Sequence, residues 1–543
     1  MSYRAVVVVV ACVPLFYLTG LDCAVPRKTE NADFWNKIGQ DTLKDRLDHM
    51  PNINVAKNVI IFIGDGMGLP TVVATRIYKG QSQGQLGEET QLVYDKFPNV
   101  ALSKTYNTDH QVADSAGTAT AMLCGFKTKY GVLGVDDTVE RGKCSTLDPN
   151  NKFHSILKWA KDAGKSVGMV TTTKVTHATP GALYAQSVDR NWEDNTKIPA
   201  PDVGKCKDIA AQLIDGDGKD LDVIFGGGRC HFYTKSDTDP EYPNKKGKRT
   251  DGRNLVTEWK ANQKKANLRH TYVHDKNGFD QINPKNVDRV LGLFEYSHMQ
   301  YEGERLNDTA GEPSIAEMTK KAIEILKKNK NGFFLLVEGG RIDHGHHESW
   351  AKLAIIDSWA FEAAIGEVEQ LTSVRDTLTV VTADHSHVFD LGGYPTRGSP
   401  LFGLNDYEND TSNLPFTTLM YTNGPGYAIS KTNGSRQLLT PKQTGALKYR
   451  QESGINLKEE THGGEDVSIY ARGPMSFLFN GVVEQNYIAH AMGYAACIGP
   501  NKNHCHESDK RYNICTTSKG AQTKSYVTLL TITAVVYVNY VIS

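Results

Sequence analysis

Net charge is the first thing this chain lacks: 61 Lys and Arg residues stand against 62 Asp and Glu, leaving −1 at pH 7. The basic residues are spread along the chain, so no cationic field awaits a phosphate backbone, and nucleic acid is excluded as a partner. Glycine, at 49 of 543 residues, falls far below the third that a collagen-like repeat requires. With 39% hydrophobic residues and little net charge, the chain does not read as disordered either. Cysteine is sparse: nine residues allow a few bridges in an exported protein but cannot build a disulfide-held fold, so a core must carry the stability. Internal repeats with periods of about 20–50 residues and low-complexity segments are also missing.

The two ends carry addresses. Arg4 precedes an apolar run from Ala5 to Leu18, the pattern of a secretory signal rather than of a membrane span of about 20 residues. Residues 1–24 are the expected signal peptide, with cleavage between Gly20 and Ala24. Tyr526 to Ile542 is almost wholly apolar and lacks a basic flank, and a polar spacer and the small residues Cys515, Thr516, Thr517 and Ser518 precede it. Small residues, spacer and apolar tail together match a glycolipid-anchor signal, with residues 506–518 as the attachment region and 519–543 removed. A C-terminal membrane helix is the alternative. The expected location is the extracellular face of the plasma membrane. Sequons at Asn307, Asn409 and Asn433 mark expected glycosylated surface loops.

At about 150 residues per domain the length suggests three or four domains, or one large α/β core with insertions. Strand alternates with helix. β-branched runs ending in Gly or acidic residues occur at Asn58–Ile63, Ser166–Thr173, Asp222–Phe225, Phe333–Val337 and Thr377–Thr382. Between them lie amphipathic stretches at Phe153–Ala163, Ile315–Lys328 and Trp350–Leu371. The pattern predicts a large α/β sandwich, with residues 51–393 and 461–505 as its core. From Tyr394 to Glu460 it dissolves into Gly, Asn, Pro and Tyr, which predicts an inserted subdomain. Residues 25–50 read as an arm, helical from 31, whose apolar Phe34, Trp35, Ile38, Leu43 and Leu47 need something to pack on, such as a partner subunit.

Ligands of an open α/β sheet collect beyond the carboxyl ends of its strands, and here those ends are acidic. The first expected strand ends in Gly64-Asp65-Gly66-Met67-Gly68, the fourth in Glu338-Gly339-Gly340, the fifth in Ala383-Asp384-His385-Ser386-His387. Each Asp alone reads equally well as a helix cap or turn residue; three such ends with histidines do not. In Arg341-Ile342-Asp343-His344-Gly345-His346-His347, a helix would put Asp343 and His347 on one face, a spacing that lets a carboxylate and an imidazole share a metal. His462 could supply a third ligand. Nitrogen and oxygen ligands without thiolates suit catalytic Zn²⁺, and an all-oxygen set suits Mg²⁺. Ser115, in Asp114-Ser115-Ala116-Gly117-Thr118-Ala119, would open a helix where free amides favour an anion, although an ordinary N-cap has the same local sequence. Arg190 would offer a phosphate a planar bidentate fork.

Taken in order over roughly residues 30 to 500, these motifs together with Thr461-His462-Gly463 make the chain similar to the animal alkaline phosphatases. The resemblance implies a three-layer α/β/α sandwich with a large, mostly parallel central sheet and a small inserted crown-like subdomain at 394–460. It implies a homodimeric, glycolipid-anchored hydrolase of phosphate monoesters that uses two Zn²⁺ and one Mg²⁺ per subunit. By the resemblance, one zinc falls to Asp343, His347 and His462, the other to Asp65, Asp384 and His385, and magnesium to Asp65, Thr179 and Glu338. His177 and His387 would support these ligands from behind, Ser115 would be the nucleophile passing through a phosphoserine, and Arg190 the phosphate clamp. It further implies a Ca²⁺ site at Glu241, the Phe294 carbonyl, Glu295 and Glu312, with Glu312 standing where the family usually has Asp. Its two bridges match Cys144 with Cys206 and Cys497 with Cys505, leaving Cys124 and Cys230 free or buried and Cys515 near the processing site. Rival readings are a phosphodiesterase or sulfatase of the same superfamily, disfavoured by Ser115 with Arg190 and a third metal, and an adhesion or receptor protein on an inactivated fold, disfavoured because every ligand position holds a competent residue.

Overall fold

The computed structural model describes residues 30–427 and 436–506. The signal peptide, the anchor region from 507 onward with Cys515, and Asn433 lie outside the described residues. Fifteen strands follow in chain order among the described residues: β1 (Asn58–Gly64), β2 (Asn99–Lys104), β3 (Ser166–Lys174), β4 (Val223–Gly227), β5 (His270–Val273), β6 (Arg289–Leu293), β7 (Phe333–Gly339), β8 (Thr377–Ala383), β9 (Ser386–His387), β10 (Phe389–Leu391), β11 (Leu419–Gly424), β12 (Ser453–Asn456), β13 (His462–Gly463), β14 (Val467–Arg472) and β15 (Gly481–Glu484). Ten of them form one sheet in the order β15-β2-β14-β8-β1-β7-β3-β4-β6-β5, parallel throughout except for β14, which runs against both its neighbours.

The central strands read as unbroken apolar runs because helices cover both faces. In β1, Val59, Ile61 and Ile63 enter one hydrophobic cluster and Ile60 and Phe62 the other. The first cluster takes in the helices Ser115–Cys124, Ile209–Asp215 and Tyr487–Ala496. The second takes in Ile315–Leu326 and Ala351–Leu371. The fold is therefore the expected three-layer α/β sandwich, built on one large sheet rather than on three or four separate cores. Helix Ile315–Leu326 starts at a capping box in which Ser314 and Glu317 satisfy each other's amides. All five strands anticipated from sequence are present, and β2, β5, β6, β14 and β15 are added. The two outermost of these, β5 and β15, are short and partly exposed, so they lack the continuous apolar signal of the interior.

Within 394–460 lie β11 and β12, which join β10 in a separate three-stranded sheet. Phe389, Leu401, Phe402, Leu419 and Tyr421 pack there against Ala74, Ala351 and Ile355 of the helices below. Helix Ala32–Asp48 buries none of its residues, and Trp35 and Leu47 are 52% and 74% exposed. Cys144–Cys206 and Cys497–Cys505 are bridged, and Cys124 and Cys230 are buried thiols. No helix of the described residues is long and apolar enough to cross a membrane. Asn307 and Asn409 lie exposed on the surface.

Candidate active site

Strand register places the acidic groups together. Ile63 of β1 pairs with Glu338 of β7, and Gly64 pairs with Gly339 on one side and Ala383 of β8 on the other. Asp65, Glu338, Asp384 and His385 therefore emerge from three adjacent strand ends, and all four are fully buried. Asp65 is held well above the usual carboxylate range by burial first and then by the charges of Asp343, Asp384 and Glu338. Burial likewise pushes Glu338 up to about 7. Neither oxygen of Asp65 has a hydrogen-bond partner, and Glu338 Oε1 and the Thr179 hydroxyl are buried without one as well. Glu338 Oε2 accepts from the hydroxyls of Thr171 and Thr173. His385 Nε2 lies 3.1 Å from Asp384 Oδ2 and 3.5 Å from Asp65 Oδ1.

Helix Arg341–His347 follows β7 and sets Asp343 and His347 one turn apart. The two-residue strand β13 pairs with β9, register His462 to His387, and thereby brings a residue from far along the chain to the same place. Asp343 Oδ1 lies 3.2 Å from His347 Nε2, 3.3 Å from His462 Nε2 and 2.9 Å from His387 Nε2. His347 Nδ1 donates to the Glu460 carbonyl at 2.6 Å and His462 Nδ1 to the Ala113 carbonyl at 2.7 Å. A carbonyl only accepts, so in each neutral ring the lone pair is on Nε2, and these two atoms are 3.1 Å apart. Two lone pairs and a carboxylate oxygen converging in a half-buried place repel one another unless a cation sits among them. Nδ1 held by a carbonyl is also how metal-binding imidazoles are oriented. Around Asp65 the unpartnered oxygens make the same demand, so the residues present fit divalent cations at both places.

Ser115 is the first residue of its helix and 2% exposed. Its Oγ is 3.3 Å from His385 Nε2. The preceding Asp114 caps the helix through Gly117 N at 3.2 Å and also accepts from Gly131 N and Asn107 Nδ2. Arg190 NH1 meets its other oxygen at 2.9 Å, and Arg190 NH2 lies 3.4 Å from His177 Nε2. Burial opposes ionisation of Asp114, but Arg190 and those donors hold it below the usual carboxylate range. The cap and the nucleophile candidate are thus neighbours: Asp114 does the capping and leaves the Ser115 hydroxyl free of that task.

Farther away, Glu241, Glu295 and Asp308 bring carboxylate oxygens together. Glu312 is close enough to feel Glu295, and burial ahead of that charge pushes its carboxyl up to about 9. Phe294 sits directly after β6, its ring against Phe225 and Phe279. Sequence reasoning missed Asp308, hidden inside the Asn307 sequon. It also missed Glu460, which lies immediately before Thr461 and His462. The Glu460 carboxylate receives His387 Nδ1 and the amide of Val388, while its carbonyl orients His347.

The family model "Alkaline phosphatase" matches residues 56–498. The human tissue-nonspecific alkaline phosphatase isozyme is 51% identical over 486 residues, 89% of this chain and 91% of that protein. The alkaline phosphatase of Gadus morhua is 52% identical over 484 residues, 88% of this chain and 99% of that protein. Among solved structures, the alkaline phosphatase of the Antarctic bacterium TAB5 shares the fold at 24% identity and TM-score 0.56, covering 82% of this chain and 100% of that one. That of Thermus thermophilus does so at 24% identity and TM-score 0.58, covering 82% and 92%. Identity above one half, sustained over most of both chains, means that this chain belongs to the alkaline phosphatase family and is a hydrolase of phosphate monoesters.

Proposed function

We propose that this phosphatase works through a phosphoserine on Ser115, at a site holding two Zn²⁺ and one Mg²⁺. The observation that carries the reading is the meeting of two imidazole lone pairs with the Asp343 carboxylate. Asp343, His347 and His462 would hold one zinc, with His387 and Glu460 fixing them from behind. Asp65, Asp384 and His385 would hold the other, and Asp65, Thr179 and Glu338 the magnesium, with His177 beside it. When bound, the metals neutralise the phosphate dianion and make the serine hydroxyl and a water acidic enough to react. Ser115 Oγ attacks phosphorus, the bond from phosphorus to the ester oxygen breaks, and the alcohol leaves. Water then attacks the phosphoserine, releasing inorganic phosphate and restoring the hydroxyl. Two in-line displacements retain configuration at phosphorus. Arg190, pinned by Asp114, binds the non-bridging oxygens throughout.

The acidic group Glu241, Glu295 and Asp308, with Glu312 and the Phe294 carbonyl beside it, would take Ca²⁺, since oxygen-only ligands suit that ion. The uncovered apolar face of helix Ala32–Asp48 supports a homodimer in which the arm crosses to the partner, the inserted 394–460 region forming a separate crown. Export, glycosylation at the sequons and a glycolipid anchor complete the proposal. The test is phosphate release from an aryl phosphate at alkaline pH, before and after chelation and again after Zn²⁺ and Mg²⁺ are restored, with the mass of the Ser115 peptide taken after quenching. Activity that survives complete chelation, or a quenched Ser115 peptide that never gains a phosphoryl group, overturns the reading.

A further inference from the structure

Beside the phosphate clamp lies a second set of donors that the reaction above does not use. Arg341 stacks its guanidinium over the ring of Tyr301 at 3.7 Å and donates from NH1 to His344 Nδ1 at 2.8 Å. Because a guanidinium cannot accept, the His344 proton must be on Nε2, which makes that atom a donor. The ring of His298 stands edge-on against His344, centroids 4.3 Å apart, and both rings touch His177 at 5.3 and 5.5 Å. His177 in turn meets Arg190. Contacts therefore run without a break from the clamp to Arg341.

Two nitrogens of this group are left unpaired. Arg341 Nε and His298 Nδ1 are buried with no hydrogen-bond partner. Among the described residues no carboxylate comes within ion-pair distance of Arg341, whose guanidinium meets His344 and Tyr301 while its backbone amide donates to the Thr172 hydroxyl. Asp357 is the buried carboxyl that feels its charge, yet it makes no ion pair or hydrogen bond with the guanidinium, and burial pushes that carboxyl up to about 8. A half-buried guanidinium with no carboxylate within ion-pair distance, flanked by the His344 Nε2–H and the unpartnered His298 Nδ1, is a place prepared for an anion.

We propose that Arg341, His344 and His298 form an anion subsite next to the phosphoryl site, and that its ligand is a phosphate group carried on the leaving alcohol. Bis-phosphorylated substrates, with a flexible spacer between their phosphates, would then engage Arg190 with one end and Arg341 with the other. The inference rests on the reading of Ser115 and Arg190 as the phosphoryl site. A free phosphate ion has the same chemistry, and the experiment separates the two sources.

Metal-loaded protein is titrated calorimetrically with butylphosphonate, with butanediyl bisphosphonate and with inorganic phosphate, in the wild type and in Arg341→Gln, Arg341→Lys and His298→Ala. In parallel, kcat/KM is measured for butyl phosphate and butanediol bisphosphate. One charge-assisted contact corresponds to about a tenfold preference for the doubly charged ligand. That preference should vanish in Arg341→Gln, return in part in Arg341→Lys and shrink in His298→Ala, while butyl phosphate turnover stays within about twofold of wild type. Equal binding of the two phosphonates by the wild type, or equal losses on both substrates in Arg341→Gln, overturns the proposal. A second equivalent of inorganic phosphate that disappears in Arg341→Gln, without any advantage for the bisphosphonate, assigns the subsite to the free ion and overturns the substrate-borne form. Preference in binding without turnover of either ester would keep the subsite and remove the catalytic reading instead.

Discussion

Replacing Arg190 separates the clamp from the metals. In the wild type its guanidinium spends NH1 on Asp114 at 2.9 Å and keeps a planar face of further N–H groups for a phosphate. Arg190→Lys retains the charge but replaces the planar fork with a compact ammonium, which loses the paired geometry that holds Asp114 on one side and two phosphate oxygens on the other. Losing one charge-assisted hydrogen bond costs about 1.5–3 kcal/mol, so the inhibition constant of inorganic phosphate should rise roughly ten- to a hundredfold. Arg190→Ala goes further, because it leaves Asp114 buried without its cation; breaking such a pair costs about 3–5 kcal/mol. Asp114 still accepts from Gly117 N, Gly131 N and Asn107 Nδ2, which puts the expected loss at the low end, about 3 kcal/mol, read as a lower thermal midpoint. Zinc and magnesium content, measured by plasma emission, should be unchanged in both variants. An unaltered phosphate inhibition constant in Arg190→Ala, with metals bound, would refute the clamp.

Four further perturbations have defined outcomes. Ser115→Ala should lower turnover at least about a thousandfold with metal content intact, and near-wild-type turnover would rule out the covalent route. His231 is 1% exposed; burial opposes its charge, but Glu193 and Asp194 outweigh burial and raise its pKa to about 9. Its contribution, on the order of 3 kcal/mol, is fully present below its unfolded pKa near 6.5 and is lost as pH rises through about 9. Melting curves from acid to alkaline pH should therefore show a fall that His231→Gln flattens, and an identical profile in the variant would refute the assignment. Opening Cys144–Cys206, whose loop spans 62 residues, should destabilise by about 4 kcal/mol, against about 2.5 for the 8-residue span of Cys497–Cys505; equal losses in denaturant unfolding would contradict the loop-entropy argument. Gly66 has φ +68°, and an added Cβ would come within 2.3 Å of His387 Nε2. Gly66→Ala should push that ring off Asp343 and weaken metal retention in dialysis.

The motif residues were legible in the sequence because each is a chemically expensive group in an apolar strand context: Asp65 after Asn58–Gly64, Glu338 within Phe333–Gly339, Asp384 after Thr377–Ala383. Parallel strands buried on both faces leave long β-branched runs, so the central strands and their order of chemistry could be read directly. The edge strands could not, because partial exposure breaks those runs, and neither could Asp308 and Glu460, whose neighbours in sequence are ordinary. Their significance depends on which residues stand opposite in space. By itself, then, the sequence determined the α/β class, the acidic strand ends, the histidine-bearing helix and the serine at a helix start, since all of these are local patterns of polarity and spacing. Only the tertiary structure decided that β13 lays His462 across His387, that Glu460 orients two imidazoles, that Asp114 holds Arg190, and that Arg341 is left without a carboxylate. Those are pairings over tens to hundreds of residues, set by strand register and packing, and no local pattern encodes them.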